Sequence, residues 1–371
     1  MSDSMPIPVV NLADLVAPGP ARDAADAALL AGLADFGLVH FRGHGIDDAE
    51  LDAFYRDFIA VTARPVAEKR TWGGVDLWYQ RGWTPPDTEQ AVVAGGQPDF
   101  KECYFAAPLP LDPEMVTEFP EVYAANVWPA EAEDFRRRYL ALGCQIHALG
   151  LRLLEACARA LGLPEDTFTA LTEGGPHVTR ALRYLPLSPA QVGTGIVWGE
   201  EHTDFNLLTL LPGGRFYDPA GAPCPRPDAQ SGLYLRTRPT AAHPNGQRVY
   251  GVPPAGCMVA QVGQQLEMLT GGRLLATPHE ITAPDQPGYT RTSTAHFVHC
   301  HPLTLLRPLA PFRTPETIAA YRPPVLAGTY GTKTLVDIGL APAEAIHALG
   351  YRHYGRLADA RRAEGRLPGM G

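Results

Sequence analysis

The sequence lacks the surplus of basic residues that a nucleic-acid-binding protein needs. Lys and Arg total 31 against 40 Asp and Glu, which gives a formal net charge of -9. A chain of this charge has few cations to release the counterions that surround nucleic-acid phosphates. Nucleic-acid binding is therefore not expected as its main role, although a local basic pocket for an anionic small molecule is compatible with the composition.

Features of exported and membrane proteins are also missing. Charged residues or prolines interrupt every apolar stretch before the roughly 18 residues that a transmembrane helix requires, so no membrane span is expected. The six cysteines form no CxxC pair, and the N-terminus does not resemble a signal peptide. We therefore expect free thiols in a cytoplasmic protein. The cysteines are Cys103, Cys144, Cys157, Cys224, Cys257 and Cys300.

Glycine and proline are abundant, at 37 residues each, which favours a loop-rich β core with flanking helices. The 371 residues can bury a substantial core in one large or two medium domains. Periodicity predicts strands at 6–12 and 37–42, and helices at 21–35, from the N-cap Asp47, and at 130–161, 315–321 and 342–362.

The second half of the chain has the texture of a β protein. Short strands alternate with turn residues, which predicts a closed or double-sheet architecture. The predicted strands are 180–185, 207–211, 232–236, 257–262, 273–276 and 291–298, and residues 212–228 are predicted to be a surface loop. Residues 71–129 are irregular and aromatic, and we expect them to form an ordered lid.

Two short segments offer metal ligands. His202 and Asp204 are two residues apart, so both can approach one ion from a strand end and the loop after it. His279 follows Asp204 by 75 residues, which is enough chain for several strands to return to the same place. Two imidazoles and one carboxylate leave half of an octahedral metal open, as in non-haem Fe(II) oxygenases. Fe(II) is favoured over Zn(II), because zinc prefers closed tetrahedral sites or three ligands with one water.

A second pair of polar residues follows the last of these ligands. Arg291 and Ser293 lie two apart on a predicted strand, so both side chains would point into the same cavity. A guanidinium and a hydroxyl can hold a carboxylate by charge-assisted hydrogen bonds. An open iron site beside such a pair indicates a keto-acid cosubstrate.

These segments occur in the order found in a known family. The chain resembles the isopenicillin-N-synthase-like branch of the Fe(II)/2-oxoglutarate-dependent oxygenases over nearly its whole length. The segments that carry the resemblance are PIPVVNLADL at 6–15, FG and HGI within 36–46, PVAEK at 65–69, HTD with LLTLL at 202–211, LTGGRLLATPH at 269–279 and RTS at 291–293. Residues 269–279 and 97–100 are most similar to bacterial members related to the ethylene-forming enzymes.

The resemblance implies a mainly β fold with flanking helices. Its core would be a double-stranded β-helix, or jelly roll, with an N-terminal α/β portion. Residues 1–130 would form the N-terminal non-haem dioxygenase region with the lid. Residues 131–371 would form the long helix, the catalytic core and the C-terminal helices, within one compact unit.

The resemblance also implies a reaction. Fe(II) would be bound by His202, Asp204 and His279, and 2-oxoglutarate would chelate the iron while its distal carboxylate meets Arg291 and Ser293. With O2 as the third participant, a small-molecule substrate would be hydroxylated or desaturated, and succinate and CO2 would be released. The substrate's identity and the oligomeric state do not follow from the sequence.

Further residues are candidates for contact with cosubstrate or substrate. Arg183 and Tyr184 lie where relatives place such contacts, and Phe205 and Phe297 are predicted to line the cavity. The candidates in the predicted lid are Tyr79, Arg81, Trp83, Lys101 and Glu102.

The chain departs from the family pattern in two places that affect the site. Gln261 stands where members often have Asn, so we expect altered hydrogen bonding without loss of the metal. Residues 91–93 (AVV) replace the acidic stretch of the ethylene-forming relatives, so neither ethylene formation nor an arginine substrate is expected.

Two other functions are compatible with the sequence. One is an Fe(II) oxidase of the same fold that needs no 2-oxoglutarate, in which Arg291 and Ser293 hold the substrate's own carboxylate. The other is a non-catalytic protein that binds a keto acid or another metabolite. Dependence on added 2-oxoglutarate separates the first from the oxygenase, and release of succinate excludes the second.

Overall fold

Strands form the centre of the structure, a computed structural model that describes residues 7–89, 99–194, 196, 198–239 and 243–346. The described residues form sixteen strands: β1 (Val9–Asn11), β2 (Leu38–Arg42), β3 (Gly82–Thr84), β4 (Lys101–Ala106), β5 (Val178–Tyr184), β6 (Gly199–His202), β7 (Leu208–Leu211), β8 (Arg215–Tyr217), β9 (Pro223–Cys224), β10 (Gly232–Arg236), β11 (Arg248–Tyr250), β12 (Cys257–Val262), β13 (His279–Thr282), β14 (Thr290–Val298), β15 (Leu305–Leu306) and β16 (Val325–Leu326). Their α-helices are α1 (Pro20–Asp35), α2 (Asp48–Thr62), α3 (Val66–Lys69), α4 (Pro113–Glu118), α5 (Glu133–Ala160), α6 (Gln264–Leu269), α7 (Pro315–Ala320) and α8 (Ala327–Asp337).

Two sheets enclose the functional part of the molecule. The larger has the order β1-β2-β12-β7-β14-β5-β4-β3, with β8 and β9 continuing from β14, and the smaller has the order β11-β10-β13-β6. A cavity between them is lined by Tyr184 and Arg291 from the larger sheet and by His202 and His279 from the smaller. This two-sheet arrangement is the jelly roll implied by the resemblance, and that prediction is confirmed.

Helix α5 covers the outer face of the larger sheet. A Cβ atom at Gly143 would lie 2.6 Å from the hydroxyl of Thr179, and one at Gly150 would lie 2.9 Å from Leu210, so glycine permits the close approach of helix and sheet. By length and hydropathy α5 alone among the described helices could cross a membrane, but 56% of its most apolar stretch is buried in the protein. That burial is the property of a core helix.

The N-terminal portion adds directly to the larger sheet. Strand β1 is parallel to β2, and β2 is antiparallel to β12 in the catalytic half. Helix α2 begins as predicted at Asp47, whose carboxylate accepts the backbone N–H of Ala49 at 2.9 Å. Strands from both sides of the proposed boundary at residue 130 therefore share one sheet, and the boundary itself stays a prediction.

Two parts of the predicted lid belong to the larger sheet instead. Strand β4 lies between β3 and β5, although its sequence begins with Lys101 and Glu102. Charged residues at a strand start are typical of a loop, but here both side chains are buried in ion pairs, Lys101 with Glu89 and Asp99, and Glu102 with Lys69. The pairing partners that permit this burial are distant in sequence.

Other local predictions are also corrected by tertiary contacts. Residues 273–276 are not a strand: the backbone N–H of Leu274 donates to the Thr270 hydroxyl, and that of Ala276 to the Glu267 carboxylate. The predicted loop at 212–228 contains the β8–β9 hairpin. Helix α8 was not predicted, whereas most of the helix predicted at 342–362, together with residues 6, 91–93, 97 and 98, lies outside the described residues.

Candidate metal centre and active site

Strand pairing brings the three predicted metal ligands together. His279, the first residue of β13, lies opposite His202, the last residue of β6, and Asp204 follows two residues later. The Nε2 atoms of His202 and His279 lie 3.7 and 3.9 Å from Oδ1 of Asp204. One ligand atom from each residue lies within 4.8 Å of the other two, which is compact enough for a single ion. Their role as metal ligands stays a prediction.

Hydrogen bonds aim His202 and Asp204 at the point between them. The carbonyl of Glu200 lies 2.7 Å from Nδ1 of His202 and accepts its proton, which leaves Nε2 free to bind a metal. The hydroxyl of Thr209 donates to Oδ2 of Asp204 at 2.6 Å, so Oδ1 faces the two imidazoles. Thr209 was not identified from the sequence, although it lies within the LTLL segment after the ligand pair.

The third ligand is held by the residue at which the chain departs from its family. The side-chain amide of Gln261 lies 2.7 Å from Nδ1 of His279, and the carbonyl of Thr277 lies 3.2 Å from the same atom. A neutral His279 that binds metal through Nε2 carries its proton on Nδ1, and a 180° turn of the Gln261 amide lets its oxygen accept that proton. The altered hydrogen bonding expected at Gln261 is confirmed.

The protonation states of the ligands suit metal binding. Burial, followed by the neighbouring imidazole of His202, lowers the pKa of His279 from 6.5 to about 4. Burial alone would raise the pKa of Asp204, but the two imidazoles and the Thr209 hydroxyl together hold that pKa below its ordinary value. A neutral imidazole and a carboxylate are therefore present at neutral pH, which are the forms that bind a metal.

The first cavity, of about 340 Å³, joins the three ligands to Arg291 and Ser293. Arg291 is 8% exposed, and its guanidinium lies over the rings of Tyr184 and Phe216 at 5.2 and 5.8 Å. Its Nη1 has no hydrogen-bond partner in the part of the chain that the structure describes. A buried cationic donor without a partner, in one cavity with a His-Asp-His set, fits an iron centre whose cosubstrate carries a carboxylate.

The predicted surface loop at 212–228 contributes to this cavity. Gly213, Gly214 and Arg215 line it. A Cβ atom at Gly214 would lie 2.8 Å from Nη2 of Arg291, so only glycine leaves room for the guanidinium there. No local pattern indicates this role, because the contact joins residues 77 positions apart.

Strand alternation corrects one predicted cosubstrate contact. Tyr184 lines the first cavity, but Arg183 points to the opposite face of β5, where its guanidinium lies 3.2 Å from the hydroxyl of Thr62 and 3.3 Å from Glu102. Arg180, four residues before Tyr184, lines the cavity instead. The two-residue period of a strand could have identified Arg180 as the arginine on the same face as Tyr184.

A second cavity, of about 620 Å³, meets the same three-ligand site from another side, with His202 and Asp204 in its wall. Phe205 and Phe297, both predicted to line a cavity, belong to this wall, and Phe297 lines the first cavity as well. His299 lies beside Phe205, with ring centroids 5.3 Å apart, and burial lowers the pKa of His299 to about 3, so this imidazole is neutral. Lys101 and Arg180 line both cavities.

The three aromatic or basic candidates from the predicted lid do not line either of these cavities within the described residues. Arg81 is buried and donates to the carbonyls of Gln80, Val122 and Ala124. Trp83 is buried and donates to Glu102 on β4. Tyr79 packs against the apolar cluster at the end of α8. The described part of this region that does line the second cavity includes Phe119, Val122 and Tyr123.

Comparisons with known proteins agree with this geometry. Residues 7–131 match the family model described as non-haem dioxygenase in morphine synthesis N-terminal. The chain is 31% identical over 198 residues to a 2-oxoglutarate-dependent ethylene/succinate-forming enzyme of Ralstonia nicotianae, which covers 51% of this chain and 54% of that enzyme. The match therefore spans about half the length of this relative. A 2-oxoglutarate-dependent dioxygenase of Aspergillus rugulosus is 28% identical over 309 residues, covering 76% of this chain and 83% of that protein.

Solved structures show the same fold. A putative 2OG-Fe(II) oxygenase family protein of Caulobacter crescentus is 27% identical, with a TM-score of 0.70 over 90% of this chain and 99% of that one. A full-length Neurospora crassa protein, solved in complex with α-ketoglutarate, is 20% identical, with a TM-score of 0.72 over 91% and 98% of the two chains. Motif order, fold and relatives agree, and we conclude that the chain belongs to the Fe(II)/2-oxoglutarate-dependent oxygenase family.

Proposed function

We propose that this chain uses Fe(II), 2-oxoglutarate and O2 to oxidise a small organic molecule, by hydroxylation or desaturation, with release of succinate and CO2. The single observation that carries the proposal is the partnerless guanidinium nitrogen of Arg291, which lies buried in one cavity with His202, Asp204 and His279 and lacks a partner among the described residues. A dicarboxylate that reaches from the metal ligands to Arg291 would satisfy both ends of that cavity.

The protein's own contribution is to bind and orient. His202, Asp204 and His279 would hold the iron, while Arg291 and Ser293 would hold the distal carboxylate of 2-oxoglutarate. Bound together, iron and 2-oxoglutarate supply the oxidising power needed to break a substrate C–H bond. The chain keeps His279 neutral and fixes the carboxylate of Asp204 by hydrogen bonding.

The two cavities divide the work between cosubstrate and substrate. Both reach His202 and Asp204, but Arg291 and Ser293 line the first cavity and are not among the described residues that line the second. The first would therefore hold 2-oxoglutarate, and the second would bring the substrate to the metal from another side. Apolar walls around both limit the access of water.

Succinate release by the anaerobically Fe(II)-loaded protein, measured under air with and without 2-oxoglutarate, tests the proposal. We expect slow 2-oxoglutarate-dependent release that Asp204→Ala abolishes and that the exposed control Asp14→Ala leaves unchanged. Absence of succinate, together with absence of a metal-to-ligand charge-transfer band from anaerobic Fe(II) and 2-oxoglutarate, would overturn it. Oxidation of a substrate without 2-oxoglutarate would favour the oxidase.

We further propose that the chain works in the cytoplasm and binds small molecules in preference to nucleic acid. The six cysteines, all within the described residues, form no disulfide, which suits a reducing compartment. The net charge of -9 does not favour binding to phosphates. Thiol titration of the denatured protein, purified without reductant, should find six free thiols, and fewer would argue against this compartment.

A further inference from the structure

Aromatic side chains dominate the wall of the second cavity. They come from β4, from the segment after α4, from the loop after β6, from β14 and from α8, so the tertiary structure brings together rings that are far apart in sequence. The rings are Phe105, Phe119, Tyr123, Phe205, Phe297 and Tyr330. A concave site with such walls favours planar, apolar ligands, because ring faces and edges pack against aromatic ligands over large areas.

Charged groups at the inner end of this cavity are already paired. Arg180 forms an ion pair with Glu89, and Lys101 forms ion pairs with Glu89, at 3.1 Å, and with Asp99. Two cations therefore face two carboxylates, and Lys101, Glu89 and Asp99 are all at least nine-tenths buried. The network offers hydrogen-bonding groups but no surplus of either charge.

The outer end follows the same rule. Lys333 and Asp337, four residues apart on α8, form an ion pair. Glu200, also in the lining, has an interaction of its own. A charged ligand that entered this cavity would lose its hydration without meeting a counterion that is available among the described side chains, and that loss is costly in a buried site.

We propose that the second cavity binds a substrate that is aromatic and carries no net charge. This inference rests on the proposed function, since it assigns the substrate class of the same site. The apolar part of the ligand lies among the phenylalanine rings, and a neutral hydroxyl or carbonyl group meets the paired ions of Lys101 and Arg180. The cavity volume of about 620 Å³ is within the range of sites for ligands larger than an amino acid.

Calorimetric titration of the full chain, anaerobic and loaded with Fe(II) and 2-oxoglutarate, tests the substrate class directly. Three probes share one ring system and differ in charge: 2-naphthalenemethanol, 2-naphthoate and 2-naphthylmethylamine. We expect the neutral alcohol to bind at least tenfold more tightly than either charged probe. Equal or tighter binding of a charged probe overturns the inference, and so does the absence of heat with all three.

The calorimetry keeps this inference separate from the proposed function. Formation of the charge-transfer band by Fe(II) and 2-oxoglutarate reports on the first cavity, whereas heat from the probes reports on the second. A normal band without probe binding refutes the aromatic, neutral substrate alone. Probe binding without a band refutes the 2-oxoglutarate clamp alone.

A substitution on α8 locates the binding site. A Cβ atom at Gly331 would have its nearest neighbour, Phe205, at 3.5 Å, so a larger side chain there would enter the cavity without a clash at its base. We expect Gly331→Leu to weaken 2-naphthalenemethanol at least tenfold while the charge-transfer band stays unchanged. Thr329→Leu, on the same helix but outside the lining, is the matched control, and equal effects of the two variants would place the probe elsewhere.

Removal of one carboxylate tests the charge argument. Glu89→Gln leaves Arg180 and Lys101 with Asp99 as the remaining acidic partner in the network, so the cavity gains a net positive charge. We expect the affinity for 2-naphthoate relative to the neutral alcohol to rise about tenfold, which corresponds to about 1.4 kcal/mol. An unchanged ratio in a variant that still forms the charge-transfer band would show that the ion network does not set the charge preference.

Discussion

Replacement of Arg291 by methionine is the sharpest test of the cosubstrate site. Methionine is long and apolar, so it can occupy the space between the Tyr184 and Phe216 rings without offering any N–H group. Loss of one partner of a buried, hydrogen-bonded charge pair costs about 2–5 kcal/mol of binding free energy. Arg291 is 8% exposed and its Nη1 is without a partner among the described residues, so we expect a loss in the upper half of that range.

The expected change in affinity follows from this free energy. At about 1.4 kcal/mol for each tenfold change, Arg291→Met should raise the Kd for 2-oxoglutarate by roughly 300-fold to several thousand-fold. Ser293→Ala removes only a neutral donor, which is worth about 0.5–1.5 kcal/mol, so its Kd should rise by roughly tenfold at most. Anaerobic titration of the Fe(II)-loaded protein with 2-oxoglutarate, followed by the charge-transfer band, measures both.

A matched control comes from the neighbouring strand. Arg183 is also a partly buried arginine, but it lies on the opposite face of β5, so Arg183→Met should leave the Kd for 2-oxoglutarate within about threefold. A Kd for Arg291→Met that is also within about threefold of the parent would refute the clamp. The carboxylate would then have to meet Arg180, Lys101 or Arg215, the other cations that line the first cavity among the described residues.

Three further predictions concern metal affinity, acid stability and backbone conformation. Gln261→Leu removes the hydrogen-bond partner of a metal-binding imidazole, so Co(II) affinity, measured by chelator competition, should fall about 10- to 100-fold. Burial lowers the pKa of His147 from 6.5 to about 4, so the unfolded chain takes up this proton first as the pH falls. Stability should therefore be lost from about pH 6.5 down to about pH 4, by up to about 3 kcal/mol, and His147→Gln should reduce that loss in urea unfolding. Gly37→Ala, with φ of +69° and an added Cβ 1.6 Å from a threonine hydroxyl, should lower stability more than Gly162→Ala, with φ of +72° and no atom within 4 Å. The second change carries only the left-handed backbone cost of about 1–2 kcal/mol.

Each of these predictions has a result that would contradict it. Unchanged Co(II) affinity in Gln261→Leu would mean that the Thr277 carbonyl alone orients His279. An identical pH dependence of stability in His147→Gln and the parent would mean that this imidazole is not held neutral by burial. Equal losses of stability in the two glycine variants would mean that the backbone around residue 37 relaxes.

The metal ligands and the carboxylate clamp could be predicted from the sequence because each depends on short-range spacing. His202 and Asp204 lie two residues apart, as do Arg291 and Ser293, and strand geometry then places each pair on one side of the chain. The order of these motifs also predicted the jelly roll. Gln261 was predicted to alter hydrogen bonding because it replaces a common Asn, but its partner, His279, appeared only when β12 and β13 were in place.

Tertiary structure alone decided which other side chains meet the site. Arg183 was predicted and Arg180 was missed, since the sequence does not show which face of β5 packs on the helices. Lys101 and Glu102 are typical of a loop, yet distant counterions allow both to be buried in a strand. The second cavity needs α8, β14 and the segment after α4 together. Local sequence therefore determined the chemistry of the metal centre, whereas burial and charge pairing between distant segments determined the shape and the neutrality of the space around it.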